Sequence, residues 1–137
     1  MLWVAAGLAV LLAAVFGGIY ALPQEKETPA GGGKAVAFDK ALADKGKQVA
    51  ASNGCTACHS IDGAKGAGPT WKGTFGTQID IGGGKKVPMN AAYIKTSILD
   101  PNAQVAAGFG PSMPSFKGKV SDADIAAVVE YIKSLSG

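Results

Sequence analysis

The sequence predicts an all-α fold of three main helices with a small hairpin insertion, preceded by one N-terminal transmembrane helix. Three observations carry this reading. Residues 2–22 form an apolar run without a charged side chain, long enough to cross a bilayer. Three later stretches space their apolar residues at three and four, each behind a residue suited to cap a helix: Asp39, Asn90 and Ser121. Glycine is abundant at 20 of 137 residues while aromatics are 7%, which favours helices joined by irregular loops over a sheet sandwich. The length suits one domain of about 100 residues plus a leading segment.

The leading segment, residues 1–22, reads as a transmembrane anchor. As a helix, Leu2 to Leu22 would be roughly 31 Å long, close to the hydrocarbon thickness of a bilayer. Trp3 and Tyr20 lie near its two ends, where amphipathic rings favour the membrane–water boundary. Ala5, Ala9, Ala13 and Gly17 form a small-residue stripe, which is either a packing face for another helix or ordinary alanine-rich composition. The competing reading is a signal peptide with a loose cleavage site at Ile19-Tyr20-Ala21. Against it stand the missing Lys/Arg-rich start and an apolar run longer than the usual 7 to 15 or so. Residues 23–37 read as a flexible linker, since Pro23 to Lys34 is polar, holds two prolines and contains Gly31-Gly32-Gly33. A coil of about 12 residues spans roughly 17 to 21 Å, so the domain at residues 38–137 stays near the membrane face.

The first helix is expected over Lys40–Ser52, with Phe38, Leu42, Val49 and Ala50 on its apolar face and Asn53-Gly54 ending it. Directly after it comes Cys55-Thr56-Ala57-Cys58-His59, a window that contains both cysteines and the one histidine of the chain. This is the C-x-x-C-H pattern of c-type haem attachment: two thiols spaced to add to the two vinyl groups of one porphyrin, and an imidazole beside them for the iron. A thioredoxin-like pair needs a βαβ framework that is not seen around it. Zinc needs about four N/S ligands, and two cysteines and one histidine fall short.

A glycine-rich loop follows over residues 62–76. Gln78–Ile81 and Lys85–Val87 flank Gly82-Gly83-Gly84 and pair as a small hairpin. Asn90 caps a short helix through Ala91, Ile94, Ile98 and Leu99, which ends near Asp100 because Pro101 follows. The last helix opens on Ser121-x-x-Asp124, a capping box with Asp in place of Glu. Ile125, Val128, Val129, Ile132 and Leu135 continue it at helical spacing. Asp122 and Asp124 at its start and Lys133 near its end suit the macrodipole.

A six-coordinate haem needs a second axial group, and a lone histidine rules out a bis-histidine site within the chain. Methionine thioether is the alternative. Met1 lies in the apolar run and Met89 beside the short helix, where a core-filling role suits it. Met113, in Gly108-Phe109-Gly110-Pro111-Ser112-Met113-Pro114, has prolines on both sides to hold it in place and is the favoured ligand.

All 13 cations are lysines and the net charge is +3; with no arginine, nucleic-acid binding is not expected. Residues 60–120 hold seven lysines against three acids. Two readings fit Lys65, Lys72, Lys117 and Lys119: a rim that steers an acidic partner, or scattered solubilising charge.

CTACH, Gly68-Pro69-Thr70-Trp71, Ala92-Tyr93-Ile94 with Ser97-Ile98-Leu99-Asp100-Pro101, Met113-Pro114 and the final helix with Tyr131 stand in one order. That ordered set, over residues 38–136, resembles the small class I cytochromes c. It is most similar to the membrane-anchored monohaem domains of bacterial respiratory complexes, such as the cytochrome c domain of caa3-type oxidase subunit II. The resemblance implies a class I cytochrome c fold around one haem c held through Cys55 and Cys58, with His59 and Met113 as iron ligands. It implies that the Pro69 carbonyl accepts a hydrogen bond from His59, and that Gly46 and Tyr131 sit where the first and last helices cross. Trp71 either packs on the haem or reaches a propionate. The chain departs from that oxidase subunit in having its own N-terminal span.

The function expected is single-electron transfer between respiratory or photosynthetic complexes, with no small-molecule substrate and no enzymatic turnover. The partners expected are redox proteins, a terminal oxidase or a quinol-oxidising complex, met as a tethered shuttle or as a bound subunit. Because c-type cytochromes receive haem outside the cytoplasm, the resemblance implies a single pass of the inner membrane with the haem domain on the periplasmic side. The alternative is a haem-based sensor or a peroxidase-like enzyme whose distal side is open.

Overall fold

The computed structural model describes residues 36–137. The expected span, and the linker as far as residue 35, lie outside the described residues; within them no helix is long and apolar enough to cross a membrane.

Helix α1 runs over Lys40–Ser52, α2 over Ala91–Leu99 and α3 over Asp122–Ser134. Each begins where a short polar side chain takes up a free backbone N–H of the first turn. Asp39 accepts from Leu42 N (2.9 Å), Asn90 from Tyr93 N (2.9 Å) and Ser121 from Asp124 N (3.1 Å). At α3 the Asp124 side chain reaches back to the Ser121 N–H, completing the capping box. α2 stops at Asp100, because the ring of Pro101 disfavours helical backbone in the residue before it.

Between α1 and α2 two short antiparallel strands pair, β1 (Gln78–Asp80) with β2 (Lys86–Pro88), in the register Gln78↔Pro88, Ile79↔Val87, Asp80↔Lys86. The turn between them takes three successive left-handed residues, Gly82, Gly83 and Gly84, at φ 84°, 61° and 75°, a run that side chains with a Cβ resist. The ladder is prolonged inward, since Met89 N–H donates to Thr77 O and Gly76 N–H to Met89 O, both at 2.8 Å.

α1 and α3 make the largest helix contact, and the face α1 turns to α3 corrects the expected one in part: Ala50 is buried and Val49 packs on the core as expected, but Phe38 and Leu42 do not. Phe38 and Leu42 are 44% and 40% exposed, whereas Ala43, Gly46 and Ala50 are buried. The reason is distance. A Cβ built on Gly46 would lie 1.9 Å from Ala127 O, so the two backbones meet where only small residues fit, and bulky side chains are displaced to the flanks. Tyr131, the aromatic expected at this crossing, follows Ala127 by four residues on α3 and is buried. Val128, Val129, Tyr131 and Ile132 of α3 join Ala50, Trp71, Met89 and Ile94 in one core. A fully buried side chain such as Ile132 contributes on the order of 1.5–3 kcal/mol.

Candidate functional site

The site begins at the end of α1. Asn53 caps the helix, its N–H bonded to Val49 O, and Gly54 at φ 71° turns the chain out of it. The chain then winds into a 3₁₀ turn over Cys55–Ala57, and Cys58 N–H and His59 N–H both donate to Cys55 O, at 3.2 and 3.0 Å. One carbonyl thus gathers Cys55, Cys58 and His59 onto one wall of a cavity of about 210 Å³. Both thiols are free. Burial pushes the Cys55 thiol up from its ordinary value, with the neighbouring Cys58 adding to the rise and a backbone hydrogen bond opposing it.

The loop at residues 66–71 is pinned against this wall. Gly68 N–H donates to Cys58 O (3.0 Å) and Trp71 N–H to Ser60 O (2.8 Å). Between these two bonds, His59 Nδ1 lies 2.7 Å from Pro69 O. A proline carbonyl can only accept, so Nδ1 carries the proton and donates, and Nε2 keeps its lone pair. Burial holds the His59 pKa below its ordinary value, the Pro69 bond partly offsetting that; the ring is therefore a neutral imidazole at pH 7, the form that binds a metal.

Trp71 is 7% exposed. Its ring stacks on His59 at 5.0 Å between centroids and 15° between planes, and meets Tyr131 edge-on at 6.2 Å. Two contacts to His59 escape a reading of the chain in order, those from Gly68 and from Trp71. Their one signal in the sequence is that both belong to the same tetrapeptide as Pro69.

Met113 is half-buried and lines the same cavity. Its loop is suspended between two supports. On one side Ala107 N–H donates to Asp80 O (2.7 Å) at the hairpin; on the other Phe116 N–H donates to Ile98 O (2.9 Å) and Ser115 Oγ to Leu99 O (2.6 Å) at the end of α2. Met89 also borders the cavity but is 6% exposed, belongs to the core, and has its backbone held in the hairpin ladder. Ile94, Ile98, Phe116 and Val128 line much of the remaining wall.

These residues fit a porphyrin iron. Two uncrosslinked thiols and a ring nitrogen with a free lone pair share one wall, a thioether borders the same cavity, and the lining between is largely apolar. Among the described residues no group of three or more His, Cys, Asp or Glu side chains is placed to hold a metal ion by itself. Lys65, Lys72, Lys117 and Lys119 form no ion pair with a described carboxylate, whereas Lys45 and Lys95 are paired with Asp124 and Asp122.

A protein-family model described as Cytochrome c matches residues 43–136. Cytochrome c2 iso-1 of Magnetospirillum fulvum is 30% identical over 96 residues, covering 62% of this chain and 94% of that protein. Cytochrome c2 iso-1 of Magnetospirillum molischianum is likewise 30% identical over 96 residues, covering 62% of this chain and 93% of its own length. The family match begins after the apolar run and the linker.

Proposed function

Because the chain belongs to the cytochrome c family, carries covalent haem c and transfers electrons rather than turning over a substrate, we propose that it is a membrane-anchored, single-haem carrier between redox complexes. Bound here, haem c supplies a one-electron Fe(III)/Fe(II) couple. The residues do the rest. Cys55 and Cys58 would hold the group by thioether bonds, and His59 Nε2 and Met113 Sδ would supply the ligands to its iron. A thioether ligand would raise the potential, and with both His59 and Met113 on the iron no position would be left for a substrate.

The observation that carries this reading is that Cys55, Cys58, His59 and Met113 border one cavity while Pro69 holds His59 in the ligating tautomer. Residues 2–22 would fix the domain to the inner membrane with its haem on the periplasmic side. A linker of about 15 residues reaches at most roughly 50 Å and raises the effective concentration at a neighbouring complex without new contacts. The unpaired lysines Lys65, Lys72, Lys117 and Lys119 suit an acidic docking surface, and the rate of electron exchange should then fall as salt rises.

The test is purification of the native protein from membranes in mild detergent. Retention through a high-salt wash is expected, with a terminal oxidase, a reductase or a quinol-oxidising complex exchanging electrons with it at a salt-dependent rate. Release of a shortened chain by salt alone would sink the anchor. Rapid CO binding by the reduced protein at neutral pH would favour an open-sided sensor or peroxidase-like enzyme instead.

A further inference from the structure

We propose that Trp71 is a positioning residue that fixes the plane in which His59 presents Nε2 to the iron; the proposal rests on the reading of His59 as ligand. A hydrogen bond holds one atom of a ring and leaves the ring free to rock about it. The Pro69 carbonyl, 2.7 Å from Nδ1, is such a single hold. Two further contacts from the same tetrapeptide remove the remaining freedom. A Cβ built on Gly68 would lie 2.8, 3.1 and 3.3 Å from Cε1, Nδ1 and Nε2 of His59. Near-equal distances to three ring atoms put that backbone over the ring rather than at its edge. Trp71 then lies nearly parallel to the imidazole, 15° between planes, so rotation of either ring is opposed by the other.

The indole is itself packed in place. Its N–H finds no acceptor among the described residues, and it is held by packing: Tyr131 of α3 abuts it edge-on at 90°, and both side chains are buried. The backbone N–H of Trp71 donates to the carbonyl of Ser60, the residue after His59, at 2.8 Å. The ligand's orientation is thereby referred to the core helix α3, and not only to the loop that carries it. Leucine in place of tryptophan keeps apolar volume without a flat face, and phenylalanine keeps the face.

The experiment uses the full-length holoprotein, its Trp71→Phe and Trp71→Leu variants, and the low-spin Fe(III) electron paramagnetic resonance signal, which reports the orientation and uniformity of the axial ligand. Wild type and Trp71→Phe should each give one narrow low-spin species. Trp71→Leu should lose it, giving shifted and broadened g-values together with a shifted midpoint potential. A leucine variant with wild-type g-values, linewidth and potential and only a lower melting temperature would make Trp71 a mere core filler and overturn the proposal. Should that variant not accumulate, the reduced wild type decides by NMR: cross-relaxation between indole and His59 ring protons is expected, and its absence overturns the stack. If the wild type shows no histidine-ligated low-spin haem, the functional reading itself fails, before any variant is compared.

Discussion

The Gly46 Cα and the carbonyl of Ala127 meet so closely that a methyl group on Gly46 would sit 1.9 Å from that oxygen and 2.4 Å from its carbon. The obstacle is backbone, which cannot rotate aside as a side chain does. Gly46→Ala should therefore force α1 and α3 apart and cost at least the ~1–3 kcal/mol typical of overpacking. Denaturant unfolding of the holoprotein checks this. Stability within ~0.5 kcal/mol of wild type would show that the helices do not cross this tightly.

A second close approach lies at the site. The position a Cβ would take on Gly68 is 2.8 Å from His59 Cε1, so Gly68→Ala should push the imidazole off its Pro69 partner. The expected result is a lower yield of haem-loaded protein at equal expression. Spectra and melting temperature like those of wild type would mean the ring has room to yield.

Much of the architecture is legible because its causes are local. The caps Asp39, Asn90 and Ser121 act within three residues of themselves, as do the stop at Pro101 and the glycine turn of the hairpin, and these elements can be read along the chain. The cavity wall is legible for the same reason: Cys55, Cys58 and His59 share one turn. What is not legible depends on approach distances between segments far apart in sequence. Leu42 looks like a core residue by spacing, yet the contact face of α1 is decided by how near the backbone of Ala127 comes to Gly46. Trp71 presents as a large apolar residue near a haem motif, and beyond its place in the tetrapeptide with Pro69 nothing says that its flat face lies against His59, twelve positions earlier. The supports of Met113 at Asp80 and Ile98 are backbone bonds that carry no side-chain signature at all.

The two methionines bordering the cavity separate by setting. Met113→Ala should abolish the Met–Fe(III) charge-transfer band and lower the midpoint potential while leaving thermal stability of the helices largely intact. Met89→Ala should keep the band and lose ~2–5 kcal/mol, as for removal of a buried methionine. The reverse pattern in the visible spectrum and the unfolding curve would make Met89 the ligand.

Acid sensitivity should centre on the start of α3. The Ser121 hydroxyl, then Lys45, then the Ser121 backbone N–H hold the Asp124 carboxyl below its ordinary value of 3.8. A carboxylate depressed in the folded state adds stability above its unfolded pKa and loses it as pH falls through the folded one. Melting temperature should thus drop with acid below about pH 4, and Asp124→Asn should flatten that part of the curve. A variant with the same acid dependence as wild type would shift the effect to other carboxylates.

The hairpin is bonded to the loop that leads to Met113. Asp80 O of β1 receives Ala107 N–H at 2.7 Å, and β1 is held in register by a turn of three left-handed glycines. Valine at Gly83, where φ is 61°, should strain the turn by ~1–3 kcal/mol. The strain should reach Met113 first, because its loop hangs from the hairpin at one end and α2 at the other, while α1 and α3 pack without the hairpin. On heating Gly83→Val, the Met–Fe(III) band should vanish at a lower temperature than in wild type, well before helical circular dichroism is lost. If band and helix signal fall together, by the same shift, the hairpin supports the whole domain equally and has no special hold on the ligand loop.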